Sequence, residues 1–258
     1  MRKCSWIWIG SSVILVLICI LGVEFCGDAI CGLQNIDPIE SARKEQFSKY
    51  GYWTYSTPYY LSGGYSFDCV QVDGMENEQL QDKINVNLKR YFCWIDFSTI
   101  DDYIPCEPQI HLQSSRYISI EYCFLLQATW KQEAWLCFTV DMQNGEVVYI
   151  DDLIDLNEEF AMRLKTGNVL RQEVEYYTAE ENAQEINKEY STMTVEEILR
   201  EFNYYTRGRY LDDRVVGDKY VFWNRFYLEE GAVCYRSSGE YKILMIDKVE
   251  EFLKVPKW

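Results

Sequence analysis

Three kinds of hydrophobic patterning run along this chain. The first is unbroken: WIWIGSSVILVLICILGV, from Trp6 to Val23, carries no charge. It is long for the apolar part of a cleaved signal peptide and near the shortest run that spans a bilayer as a helix. Arg2 and Lys3 precede it, and Glu24, Asp28 and Asp37 follow it. Positive-inside logic puts the N-terminus in the cytoplasm and the bulk of the chain outside. The reading is a signal anchor over residues 1–29, with cleavage at Gly27-Asp28-Ala29 as the alternative. Bulky Ile18 before Cys19 and Phe25 before Cys26 count against lipoprotein processing.

The second kind is strand-like. Aromatics crowd Tyr50 to Tyr65, where Ser62-Gly63-Gly64 predicts a turn. Phe67 to Met75 reads as a strand ending at Gly74, and His111 falls in another. Arg116–Leu126 and Glu133–Met142 are strands joined by a loop around Trp130. If that pair is symmetric about its loop, Cys123 lies opposite Cys137, a candidate disulfide. A hairpin follows from Lys219 with its turn at Glu229–Gly231, and YKILMI is a last strand. Asp101 to Pro108 reads as a loop broken by two prolines.

The third kind has helical spacing. Leu80, Ile84, Leu88 and Tyr91 predict an amphipathic helix over 77–92. A short helix is expected over 38–49. Asn157 caps one with apolar positions Phe160, Leu164 and Leu170, and Thr194 with Glu197 forms a capping box for another. The polar, acidic stretch between them reads as an exposed excursion. Asp247 and Glu250 are expected to cap a short helix ending near Leu253. Strands and helices mix without a βαβ rhythm, so the fold class is α+β: an antiparallel sheet packed with a few helices behind one transmembrane helix. The expected organisation is residues 1–29 as anchor, 30–66 as linker and aromatic strand region, and 67–258 as the extracytoplasmic domain.

Composition narrows the function. Of 258 residues 48% are hydrophobic, enough for a core, while the net charge of −16 and the lack of a basic stripe argue against nucleic acid. That charge suits a basic protein partner, or simply keeps the chain soluble. Cys4, Cys19 and Cys26 lie in or beside the apolar run. Cys31, Cys69, Cys93, Cys106, Cys123, Cys137 and Cys234 lie beyond it, an odd number with no CxxC pair, which gives no support for a zinc ribbon or thioredoxin-like site. Most read as small buried apolar residues.

Candidate chemistry concentrates in FTVDMQNGEVVYIDDLID, Phe138 to Asp155. An EF-hand loop starting at Asp141 would need oxygen ligands where Gln143 and Gly145 stand, Gly where Glu146 stands and Glu where Asp152 stands, so the calcium reading fails. A two-residue Asn144-Gly145 hairpin turn fits better, with Met142 facing Val147, Val140 facing Tyr149 and Thr139 facing Ile150. Asp151 and Asp152 then become turn and cap residues. One histidine, His111, rules out a two-histidine metal site, and no Gly-rich phosphate loop is present. No catalytic, cofactor-binding or metal-ligating residue is assigned, and no cofactor is expected. Abundant carboxylates leave a paired-carboxylate glycosidase open.

The order of motifs resembles the extracytoplasmic domain of the RsiV-type anti-sigma factors. FDCVQVDGMENEQLQDKINVNLKRYF, with Ile84-Asn85, is similar to its opening strand and helix; RYISIEYCF resembles its central strand. Asp141, Asn144-Gly145 and Asp152-Leu153-Ile154 resemble its most distinctive segment, and FYLEEGAVCYRSSGEYKILMIDKVEEFL its closing hairpin, strand and short helix. The resemblance spans roughly 67–253 and implies an α+β domain outside the membrane of a Gram-positive cell. That domain is of unknown function in most members, binds lysozyme in the anti-sigma factor, and has a related module in cell-wall deacetylases. Only five residues precede the apolar run, no deacetylase domain follows, and LQATWKQEA replaces the Gly-Ala-His often seen between the central strands, so no binding residue is carried over. The expectation is a non-catalytic binding or sensing module on the cell envelope, its partners the membrane and lysozyme or peptidoglycan. A carboxylate-dependent cell-wall glycan hydrolase and a structural envelope protein are the alternatives.

Overall fold

The computed structural model describes residues 38–60, 66–89, 92, 103–105, 107–126, 132–172, 179–203, 226–237 and 240–258. The expected anchor over 1–29 and the turn at 62–64 lie outside them. Among the described residues no helix is long and apolar enough to cross a membrane. The chain divides into two compact units, Met1–Lys44 and Glu45–Trp258. In the first, the described residues open helix α1 (Pro38–Tyr50), where Glu40 and Lys44 form an exposed i,i+4 ion pair.

The second unit is α+β and its strand pairings are antiparallel. β1 (Trp53–Tyr60) and β2 (Ser66–Asp73) pair along their whole length, so the aromatic strand forms one sheet with β2. Gly74 ends β2 at φ +83°, and a side chain there would run into the Trp53 ring. Asn77 caps α2 (Glu78–Lys89) by accepting from the Leu80 N–H, and the predicted spacing buries Ile84 and Leu88. Tyr59 packs against Phe67 and Phe92, so this aromatic of β1 serves the core.

A second sheet has β5 (Tyr117–Leu126) at its centre. β6 (Gln132–Asp141) lies on one side, and β3 (Tyr103–Pro105) and β4 (Gln109–Gln113) on the other. Strand period sorts its faces. Ile118, Ile120, Tyr122, Leu136, Phe138 and Val140 join α2 and β2 in one core. Ser119, Glu121, Cys137 and Thr139 alternate with them and stay buried on the other face.

The third sheet runs β7 (Leu170–Gln172), β10 (Glu240–Met245), β9 (Ala232–Ser237), β8 (Phe226–Glu229). The predicted turn closes β8 to β9, with Glu229 opposite Ala232 and Gly231 at φ +72°. The largest core holds Phe226, Leu228, Val233, Tyr235 and Leu244 from this sheet with Phe160, Leu164, Ile186, Tyr190, Ile198 and Phe202. The latter come from α4 (Glu158–Thr166), α5 (Ala179–Thr192) and α6 (Val195–Asn203). Burying each large side chain contributes on the order of 2 kcal/mol. Asn157 caps α4 through the Phe160 N–H at 2.8 Å, and Thr194 and Glu197 make the expected reciprocal box on α6. The chain closes in two 3₁₀ turns, Ile246–Lys248 and Glu250–Phe252, where a terminal helix was expected.

Several expectations need correction. Tyr103–Pro105 is a short strand on β5, because Pro105 sits at the sheet edge, where a missing N–H costs no ladder bond. Leu170 belongs to β7, since Gly167 ends α4. The supposed polar excursion contains α5, with Ile186 and Tyr190 buried. Cys123 pairs with Trp135 and Cys137 with Glu121, two residues out of register for the disulfide imagined. The Asn144-Gly145 turn is wider than two residues: the Asp141 N–H donates to the Glu146 carbonyl, and Val140 bridges Val147 instead of facing Tyr149. Of the pair only Gly145 takes positive φ, at +74°. The Asp141 and Asn144 side chains accept from the N–H groups of Gln143 and Glu146, and Asn87 of α2 donates to the Gly145 carbonyl at 2.6 Å, which holds the open form.

Candidate functional site

The stretch that drew attention in the sequence resolves into structure. Asp152, in the one-turn helix α3 (Ile150–Leu153), accepts from the Tyr149 N–H at 2.9 Å. Lys254 donates from its Nζ to the Asp151 carbonyl. Among the described residues no three His, Cys, Asp or Glu side chains are grouped to hold a metal ion. Asp141 and Asp152 thus serve the backbone around them through the N–H groups of Gln143 and Tyr149.

A different cluster gathers the titratable groups. β4 pairs Ile110 with Ile120 and Leu112 with Ser119, so His111 is the extra residue of a β-bulge. A bulge re-aims the side chain it carries. His111 turns onto the Tyr227 ring of β8, with centroids 3.7 Å apart and planes 15° apart. Its Nε2 lies 3.9 Å from Glu121 Oε1 and its Nδ1 3.6 Å from Glu229 Oε1. These are ion-pair separations, too long for direct hydrogen bonds. Cys137 Sγ lies 3.9 Å from Glu121 Oε2, and Cys234 stands opposite Tyr227 in the β8–β9 ladder.

Electrostatics favours a proton on His111. Burial alone would lower the pKa of His111, but Glu121 and Glu229 outweigh it and raise it to about 9. His111 in turn holds the Glu229 carboxyl below its usual range. The Tyr227 phenol is pushed far up by burial and by the neighbouring Cys234, Glu229 and Glu121. At neutral pH the cluster thus holds an imidazolium beside Glu121 and Glu229, stacked on a neutral phenol, an arrangement that also gains cation–π attraction. An imidazolium with both nitrogens protonated has no lone pair to accept a proton, so it is not poised as a general base.

A second buried polar network lies on the helical side of the third sheet. Lys242 Nζ sits 3.2 Å from Glu189 and 3.5 Å from Glu201, 4.7 Å above the Tyr190 ring, and the Tyr190 and Tyr235 hydroxyls share a 2.9 Å hydrogen bond. It ties α5 and α6 to β9 and β10. Sequence reasoning found His111 but missed its partners. Glu121, Glu229 and Tyr227 are distant in sequence, and the bulge that joins them leaves no compositional trace.

Ile84-Asn85, the step that carried the family resemblance, has a definite structural task. Asn85 accepts from the Val72 N–H and donates to the Val72 carbonyl, both at 2.9 Å, so its amide occupies the edge of β2 as a neighbouring strand would.

No protein-family model matches the chain, and no curated protein matches it. Solved structures do. A member of the DUF3298 family from Bacteroides fragilis is 10% identical at a TM-score of 0.41, covering 79% of this chain and 93% of that one. A DUF3298 family protein from Pseudomonas aeruginosa is 11% identical at 0.39, covering 79% and 94%. DUF3298 denotes a domain of unknown function.

Proposed function

We propose that this chain is a membrane-anchored, extracytoplasmic binding module of a Gram-positive cell envelope, acting without catalysis, with lysozyme or peptidoglycan as its ligand. The observation that carries the reading is charge. The chain has 41 acidic against 25 basic residues. Many of the described cations are already neutralised: Lys83 by Glu146, Arg163 by Glu251, Lys242 by Glu189 and Glu201, Lys248 by Asp247, and Lys257 by Glu250. The remaining carboxylates leave a field that steers a basic protein toward the surface. The state of His111 supports the absence of catalysis, because the chain's one imidazole is committed to an ion-paired cluster.

The test is retention of lysozyme and of peptidoglycan on the immobilised full chain at low and high salt. Retention of lysozyme that weakens as salt rises is expected. Failure to retain either removes both ligands. Turnover of cell-wall glycan by the same preparation would replace the binding reading with a hydrolase.

A further inference from the structure

β8 is four residues long and forms the edge of its sheet. Three polar ties hold it to the elements beside it. The Leu228 N–H donates to Ser119 Oγ at 2.9 Å, and that hydroxyl also bonds Thr139 at 2.8 Å. The Trp258 indole N–H donates to the Glu229 carbonyl at 2.9 Å. The third tie is the His111 cluster, the one that carries charge across the two sheets. The groups facing His111 are Glu121 from β5 and Glu229 and Tyr227 from β8. Cys137 of β6 lies against Glu121, and Cys234 of β9 lies beside Tyr227 and Glu229. Behind the imidazole, Cys137, Tyr227, Ala232, Cys234 and Ile243 form a small buried seam of their own, separate from the two larger cores.

We propose that His111, Glu121 and Glu229 form a charge clasp that holds one face of the β8–β9 hairpin against the β4–β5–β6 sheet, and that neutralising the clasp loosens the cysteine-lined seam between them while the main cores stay closed. The geometry supports a local event. β9 is laddered to β10 and the hairpin's other face is held in the largest core by Phe226, Leu228, Val233 and Tyr235, so only the seam side is placed to loosen. A buried imidazolium is held only while its carboxylates face it, so losing one partner leaves the other charge uncompensated.

Alkylation of buried cysteines reads the opening in the full chain, with Cys69 as internal control. Cys69 lies fully buried in the α2 core, where burial pushes its thiol up to about 11. His111→Gln at neutral pH is expected to speed modification of Cys137 and Cys234 by at least about tenfold, the effect of losing one charge-assisted contact on an opening equilibrium, with Cys69 unchanged. The ratio of the variant's rate to the wild type's at Cys137 and at Cys234 should shrink as pH passes about 9, a comparison at the same cysteine that cancels the thiol's own ionisation. If His111→Gln fails to fold, Glu229→Gln, which keeps the shape of a half-exposed side chain, should give a smaller rise of the same selectivity. Equal rates in wild type and a folded variant, or a rise shared equally by Cys69, would overturn the clasp.

Discussion

Two helices of this chain carry the same Ile-Asn step and use it in the same way. Ile84 and Ile186 are both fully buried. Asn85 clamps the N–H and carbonyl of Val72 in β2; Asn187 clamps those of Leu170 in β7, at 3.3 and 2.9 Å. In each case a side-chain amide satisfies a strand edge that no strand covers among the described residues. The difference is what surrounds the step. α2 packs an apolar stripe, Ile84 and Leu88 with partly buried Leu80. α5 packs Ile186 and Tyr190, the tyrosine bonded to Tyr235 and roofed by Lys242 with two glutamates. The same backbone device can rest on an apolar face or on a buried polar network, and only the first is visible as a pattern.

The largest effect is expected where the clamp is most buried. Asn187→Ala should cost about 2–4 kcal/mol in chemical denaturation, because it orphans two buried backbone groups. Asn85→Ala, whose amide is half-buried and closer to water, should cost about 1–2 kcal/mol. A reversed order would break the distinction between the two regions.

Next is the pH response of the clasp, which neither helix shares. His111 has a folded pKa of about 9 against an ordinary 6.5. A raised pKa contributes stability that is fully present below 6.5 and is lost as pH rises through 9. That stability amounts to about 3 kcal/mol at most. Melts of wild type and His111→Gln should converge above that window. A constant gap across it would assign the loss to packing instead of charge.

Tyr190→Phe should cost about 1–2 kcal/mol by breaking the hydroxyl pair that α2 has no counterpart for. The smallest is Asn157→Ala, a cap, at about 1 kcal/mol. Its fall should not depend on whether Asn85 or Asn187 is also changed, since distant sites add.

This contrast explains what the sequence could reveal. Leu80, Ile84 and Leu88 declare α2 by period, and Asn157 and Thr194 declare the starts of α4 and α6 by local capping chemistry. Strand alternation likewise exposes β5, β6 and the β8–β9 hairpin. α5 stayed hidden because its buried face is built from Tyr190 and Asn187 among acidic neighbours. The Asn144-Gly145 turn misled because local preference was overruled from a distance, by Asn87 reaching the Gly145 carbonyl. The candidate site was the least legible. His111 stands out as the chain's one histidine, yet its meaning depends on a one-residue bulge and on carboxylates from two other strands.

The central claim is that His111 carries its proton at neutral pH because Glu121 and Glu229 face it. A proton NMR titration of the full chain tests it most directly, since one histidine gives one imidazole signal set. A midpoint near 9, falling toward the ordinary value in Glu229→Gln, is predicted. A midpoint at or below 6.5 would contradict it and return His111 to the pool of available general bases.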